Sequence, residues 1–556
     1  MTPRNSFPRT HHELLNSYYA QYDKAIESGQ FQSFTLTFGF LGSLLVITYL
    51  LIPHRHSPWL KRARYLVWTV NVCFTAYTIK NMRARNMAPA FGLGLTMAWS
   101  VVWSFAILVA KDVQEEFHRI EHVERVQGKE DGPREQHSSV EMISKGNEQK
   151  EQASANTEPR IDQQLSQNNQ PSTTEYAWQT YPLFSLLERL DWVLDLYTNF
   201  RGMIWNWRIP TIPPPPKPIQ VSLQRNSNNS IKHQTPTKNR SPFRLPTSRH
   251  EALFSNLKMV VSGYIVLDAL KTLANHDPYF WGIVPITSPL PPYFPSLLTS
   301  SPFLARAYRL FISLFLIQFS LQTLFAFAPL VYVFLFPLLT KPFRKLGNDS
   351  KLPLRARNEP WSHPPTFGPL SQSIVDRGLG GWWGLWWHQT FRAGFSFPSE
   401  WLLSGLHISP KSNLGRTIQV TMAFGLSAIL HASGSHTQPG PSNGFSFSGP
   451  ILFFLLQGLG IIVEGAVSPF LQKNVRPSAL RWVRFVYTWV FLYNTSPLLV
   501  NDFAAGGIWL YEPVPVSVFR SPLFNLGAEG DRTWCWGGEW VRWVNGDRWW
   551  LSGLSI

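Results

Sequence analysis

Ser33 to Ile52, Phe91 to Ala110 and Phe311 to Thr340 are long apolar runs that carry no charged residue. A helix needs about 20 consecutive apolar residues to cross the hydrocarbon core of a bilayer, and a soluble helix has no use for so many. The third run is long enough for one tilted span or for a span broken near Pro329. Mean hydropathy over the chain is nevertheless only -0.09, so the apolar residues are strongly segregated.

Shorter apolar stretches follow at Tyr65 to Ile79, around Met259 to Leu267, and at Thr417 to Leu430, Gly449 to Val463 and Phe485 to Val500. Counted against the length rule, these runs predict an all-α polytopic bundle of roughly seven to nine spans. Met1 to Gln30 is polar, and the first apolar run is too long for a cleavable leader and lacks a small-residue cleavage pattern. It is expected to stay as an anchor in a multi-pass protein, with the endoplasmic reticulum as the expected membrane.

The net charge of +16 could point to nucleic acid. In a membrane protein, however, Lys and Arg collect in cytoplasmic loops and meet anionic headgroups, so the expected partner is the lipid bilayer and no nucleic acid. Only Cys73 and Cys535 are present, which leaves no disulfide framework and no Cys-rich zinc or iron–sulfur pattern.

Residues 1–110 form an N-terminal transmembrane region, 111–250 a polar insert, and 251–556 the region where chemistry is expected. The insert opens with the charge-dense Lys111 to Arg125 and passes into Gln127 to Thr174, rich in Gln, Asn, Ser and Glu, which cannot bury a core. Tyr176 to Trp207, with Trp178, Trp192, Trp205 and Trp207 among Glu188, Arg189, Asp191 and Asp195, reads as an amphipathic helix at the membrane interface. Pro213 to Pro216 then leads a basic linker holding Lys217, Arg225, Lys232, Lys238, Arg240, Arg244 and Arg249. A second basic loop, with Lys341, Arg344, Lys345, Lys351, Arg355 and Arg357, is expected to face the cytosol. The flanks of Tyr65 to Ile79 are basic on both sides, so charge leaves the orientation there open. No internal repeat is visible, which counts against a transporter.

Two features carry candidate chemistry. In Gly380 to Arg392 a titratable His388 sits among Trp382, Trp383, Trp386 and Trp387, next to Gln389 and Arg392. An aromatic belt explains the tryptophans but not an ionisable group at membrane depth, where such groups are costly and tend to be functional. In Phe424 to His436, His431 closes an apolar run that includes small residues, which permit close helix packing around a polar group. A lone histidine there is usually structural. A pair in consecutive apolar segments allows one to act as general base while the other polarises a carbonyl.

The arrangement resembles the wax synthase-like branch of the membrane-bound O-acyltransferases. Trp383, Gly384, Trp387 and His388 match its first motif, and Ser427, Leu430 and His431 match its second. The likeness is specific over about 361–500 and architectural elsewhere. It implies transfer of an acyl group from a coenzyme A thioester to a hydroxyl, with His431 as base and His388 polarising the thioester carbonyl. The acyl-CoA is then a co-substrate, no bound cofactor or metal is implied, and Trp387, Gln389 and Arg392 are candidates for its binding. Leu385 and Trp386 stand where the family carries paired arginines, so the role of those is absent or falls to Arg392. Ala428 and Ala432 replace the Gly and Glu of plant wax synthases. The expected product therefore moves from a wax toward an acetyl ester of a small, hydrophobic, hydroxylated acceptor, such as a terpenoid-like secondary metabolite of the fungal relatives.

The alternatives are a long-chain alcohol O-fatty-acyltransferase making wax or sterol esters and, in another class, a transporter or non-catalytic scaffold. Soluble acyltransferase signatures, His followed by Asp four or five residues on, do not occur after any of the 15 histidines. His118 and His122 have i, i+4 spacing, but in a charged segment without partner boxes they read as a solvated helix face rather than a metal site. Asp268 and Glu464 read as helix-end or interhelical polar contacts, and His276, His407 and His436 as structural, with His436 a secondary candidate.

Overall fold

The computed structural model describes residues 8–123, 175–226, 243–338, 355–438, 448–536 and 541–555. The low-complexity stretch Gln127 to Thr174, the linker residues Lys232, Lys238 and Arg240, and Lys341, Arg344, Lys345 and Lys351 of the second basic loop lie outside the described residues.

Helix ends follow local capping. α1 (His11–Glu27) starts where the Thr10 hydroxyl accepts from Glu13 N, and α2 (Leu36–Leu51) where Thr35 accepts from Phe38 N. With Ile52 already extended, the first apolar run yields a helix of 16 residues, shorter than the run itself. α3 (Pro58–Asn81) opens on a proline at its first helical position. Next comes α4 (Met87–Ala110), whose last six residues widen into a π-type turn.

The insert holds α5 (Leu186–Thr198) and α6 (Lys217–Arg225), and α7 (Arg249–Asn275) and α8 (Pro302–Leu338) follow. Pro329 lies inside α8 without breaking it. Proline removes one backbone donor, and Leu330–Leu335 accommodates the loss as another π-type turn. The chain continues through α9 (Leu370–Gly381), α10 (Arg392–Gly405), α11 (Asn413–Thr437), α12 (Ser448–Asn474), α13 (Pro477–Thr495) and α14 (Pro497–Ala505). Pro497 divides the expected run Phe485 to Val500 between the last two.

Among the described residues four helices are long and apolar enough to cross a membrane: α4, α7, α8 and α12. α2 is apolar but shorter.

Two expectations in the insert are corrected. Tyr176 to Trp207 is not one interfacial helix. β1 (Arg119–Val123) pairs antiparallel with β2 (Glu175–Gln179), and α5 follows after a turn. Trp192 and Trp205 are 0% and 1% exposed, so these indoles fill a core shared with α2 and α4 instead of lying among headgroups. The buried Asp195 accepts from Trp205 Nε1 (3.1 Å) and is ion-paired with Arg119 and Arg357. A buried carboxylate requires such partners, which is why Arg357, assigned by sequence to a cytosolic loop, is folded inward. His118 and His122 share no helix face: His122 lies on β1, with its ring 4.5 Å from that of Tyr176.

The helix bearing His431 is seated by contact with α4. A Cβ on Gly94 would fall 1.9 Å from Ser433 O, and one on Gly434 would fall 2.6 Å from the Phe91 ring. Thr437 Oγ1 donates to Ala90 O (2.7 Å) and accepts from Gly94 N (3.0 Å). The small residues thus do what the sequence implied, letting two helices approach at backbone distance.

Candidate active site

Between α8, α9, α10, α11, α12 and α13 lies a cavity of about 1020 Å³. His388 and His431 both line it, as do Trp387, Gln389 and Arg392. The rest of the wall is chiefly aromatic and aliphatic, including Phe311, Leu314, Trp383, Phe424, Phe453, Phe454 and Trp489. A large apolar pocket with a few convergent polar groups is the usual form of a small-molecule site.

His431 projects from α11, whose first turn is capped by the Ser412 hydroxyl. Its Nδ1 lies 2.8 Å from Ser427 O, one turn back. A carbonyl only accepts, so Nδ1 carries the proton and Nε2 presents its lone pair. The ring packs against Phe454, centroids 4.2 Å apart, which fixes its orientation.

His388 is presented differently. Residues Trp382–Trp386 form a short π-type turn, a distortion that often marks functional positions, and Trp387 then turns extended. The His388 ring sits among Phe325, Phe367, Trp387 and Phe391 with centroids 5.4 to 6.2 Å away. Its buried Nδ1 has no hydrogen-bond partner among the described residues.

The neighbours of His388 hold its loop. Gln389 Nε2 donates to Trp383 O (2.9 Å) and Trp387 O (2.7 Å), while its oxygen accepts from Arg392 Nη1 (2.7 Å). That same Nη1 donates to Gly384 O at 2.9 Å. Where the resembling family carries arginines, Trp386 is instead buried against Trp382 and Phe367.

Sequence reading missed Gln457 and the part played by Glu464. Gln457, fully buried on α12, accepts from Trp383 Nε1 (3.2 Å) and donates to Thr495 Oγ1 (2.9 Å). Its position inside the apolar run Gly449 to Val463 was the available signal, since a polar residue at that depth needs a partner.

His276, His407 and His436 do not line the cavity. His276 Nδ1 is bonded to Thr272 O (2.8 Å), and His407 closes α10 with a positive φ of 56°. Asp268 is also remote from it, accepting from Ser517 Oγ (2.5 Å) and Val518 N (2.6 Å). It belongs to a polar clasp in which α7 meets the C-terminal segment and α1. Arg520 donates to both oxygens of Glu512 (3.0 and 2.9 Å), Lys271 donates to Trp509 O (2.5 Å), and Asp531 receives His11, His12 and Asn275. His11, His12 and Asp531 are close enough to ligate a cation. Arg520 stands 3.6 Å from the same carboxylate oxygen, however, and that positive charge opposes a dication there. Burial favours the neutral form of Asp531, but its hydrogen bonds from the two histidines and the charge of Arg520 prevail and hold it well below the usual carboxylate range.

The fold and cavity define a helical membrane protein enclosing a two-histidine site. Residues 363–456, which contain both histidines, match the model of the Membrane bound O-acyl transferase family. The chain is 24% identical over 338 residues to an O-mevalon transferase of Aspergillus niger, covering 58% of this chain and 64% of the relative. It is 25% identical to an acetyltransferase of Calcarisporium arbuscula (57% and 66%) and 30% identical over 166 residues to an acetyltransferase of Aspergillus fumigatus (29% and 37%). The matched segments span less than two thirds of each of these relatives. No solved structure matches the chain.

Proposed function

We propose that the protein is an acyl-CoA-dependent O-acyltransferase that moves an acyl group, by preference acetyl, onto a hydroxyl of a hydrophobic, terpenoid-like secondary metabolite. The observation that carries this reading is the meeting of His388 and His431 on one apolar cavity, with His431 in the tautomer that leaves Nε2 free to accept a proton. The acceptor oxygen attacks the thioester carbonyl carbon as its proton passes to His431 Nε2. A hydrogen bond from His388 stabilises the negative charge that develops on the carbonyl oxygen. The carbon–sulfur bond then breaks, and the departing thiolate recovers the proton from His431, so no covalent acyl-enzyme is formed.

In this reading Trp387 and Arg392 shape the acyl-CoA end of the cavity, and Gln389 holds the loop carbonyls between them. We place the protein in the endoplasmic reticulum. Counting α2, α3, α11 and α13 as crossings alongside the four long apolar helices gives eight, within the seven to nine that the apolar runs imply.

The test uses microsomes containing the full chain, labelled acetyl-CoA or palmitoyl-CoA, and hydroxylated terpenoid or fatty-alcohol acceptors. The expected result is an acetyl ester of the terpenoid that disappears with His431→Ala. If neither donor gives an ester dependent on His431, the acyltransferase reading is wrong. A preference for palmitoyl-CoA would make the protein a long-chain alcohol acyltransferase.

A further inference from the structure

Glu464 is a carboxylate within α12, one of the four long apolar helices, where an ionisable group is costly unless its oxygens are hydrogen-bonded. Its oxygens accept from two backbone donors of α9, Leu379 N at 3.2 Å and Gly380 N at 2.8 Å. Those donors are free because α9 breaks at Gly378, whose φ of 59° and ψ of -140° are not helical. A helix restarting after a break has first-turn N–H groups with no carbonyl behind them, and a carboxylate there satisfies the donors and complements the helix dipole.

The fit leaves no spare room. A Cβ on Gly378 would lie 1.7 Å from Glu464 Oε1, so this position needs glycine both for its positive φ and for the carboxylate's approach. The segment that restarts here runs through the Trp382–Trp386 turn directly to Trp387 and His388. Gly380, Trp382 and Trp383 of the same segment line the cavity.

We propose that Glu464 is a positioning residue for the candidate site: it caps the restarted helix across the interhelical gap and so fixes the direction in which the loop presents His388. The kinetic consequence rests on the acyl-transfer reading, whereas the structural consequence does not. Displacements of about 1 Å at a reacting group cost around 100-fold in rate, and loss of an outer-shell partner about 10- to 100-fold.

The experiment uses the full-length protein in detergent micelles as wild type, Glu464→Ala, Glu464→Gln and Gly378→Ala. For each, kcat and KM for acetyl-CoA are measured, together with the rates at which diethyl pyrocarbonate modifies His388 and His431, read by mass spectrometry. Glu464→Ala and Gly378→Ala are expected to lower kcat about 10- to 100-fold with KM within about twofold. They should also change the His388 modification rate and leave that of His431 as it was. Glu464→Gln keeps one acceptor oxygen and should recover most of kcat. Wild-type kcat and an unchanged His388 rate in Glu464→Ala would overturn the proposal, as would an equal change at both histidines, which marks general loosening. If the wild type transfers no acyl group, the modification rates alone decide the positioning role, so the two readings fail separately.

Discussion

In the terminal clasp, Asp268, Lys271, Glu512, Arg520 and Asp531 are buried, and each meets an opposite charge or a hydrogen-bond partner. In the cavity, two histidines are surrounded by aromatic rings, and at His388 a buried nitrogen has no partner among the described residues. Both regions contain titratable side chains, but the acids and bases of the clasp pair with one another, whereas neither cavity histidine has an acidic partner among the described residues. A closed polar network rigidifies a fold, while an open polar atom beside a large cavity is available to a substrate. The number of ionisable residues therefore points to neither region, and the open space beside two histidines without acidic partners points to the cavity.

Variants can break this comparison. The largest expected effect is on rate: His388→Ala should lower kcat by about 100-fold or more, the scale of a lost oxyanion donor, while leaving the thermal unfolding midpoint near that of the wild type. A collapse in stability would show that the cavity histidines are structural after all. In the clasp the roles reverse. Arg520→Ala removes the bidentate partner of Glu512, leaving it only Lys271 at 3.9 Å, and breaking a buried pair in this way costs up to about 3–5 kcal/mol, measurable as a lowered unfolding midpoint with kcat per folded molecule unchanged.

The smallest effect concerns pH. Burial, offset only in part by Asp531, lowers the His11 pKa, and Asp531 itself is held low. Both groups bind protons more readily in the unfolded chain, so their contribution to stability is complete above the ordinary histidine range and declines as pH falls through it and then through the carboxylate range. Unfolding midpoints between about pH 7 and pH 4 should fall accordingly, and His11→Asn should flatten the upper part of that decline. An unchanged slope would remove His11 from the clasp.

Much of this architecture was legible in sequence because it is local. Uncharged runs mark α4 and α8, Pro497 marks a helix start, and the two motifs put histidines in consecutive segments. Features that depend on distant partners were not legible. The pairing of Arg119–Val123 with Glu175–Gln179 spans the low-complexity stretch. The burial of Trp192 and Trp205 depends on Asp195 finding Arg119 and Arg357. Gln457 and Glu464 were visible as polar residues in apolar runs, but only the fold shows that they meet Trp383 and the Gly378 break. α2 is shorter than its apolar run for a simpler reason: composition defines the run, whereas the Thr35 cap defines where the helix begins.

The contact at Gly94 bears on which acceptors the cavity can take. Because α4 meets α11 at backbone distance, the helix carrying His431 has no slack behind it and cannot retreat to admit a bulkier molecule. That wall acts as a fixed stop. Any adaptation to substrates of different girth must come from the other walls, among them α8 and α13, whose Phe311, Leu314 and Trp489 line the cavity.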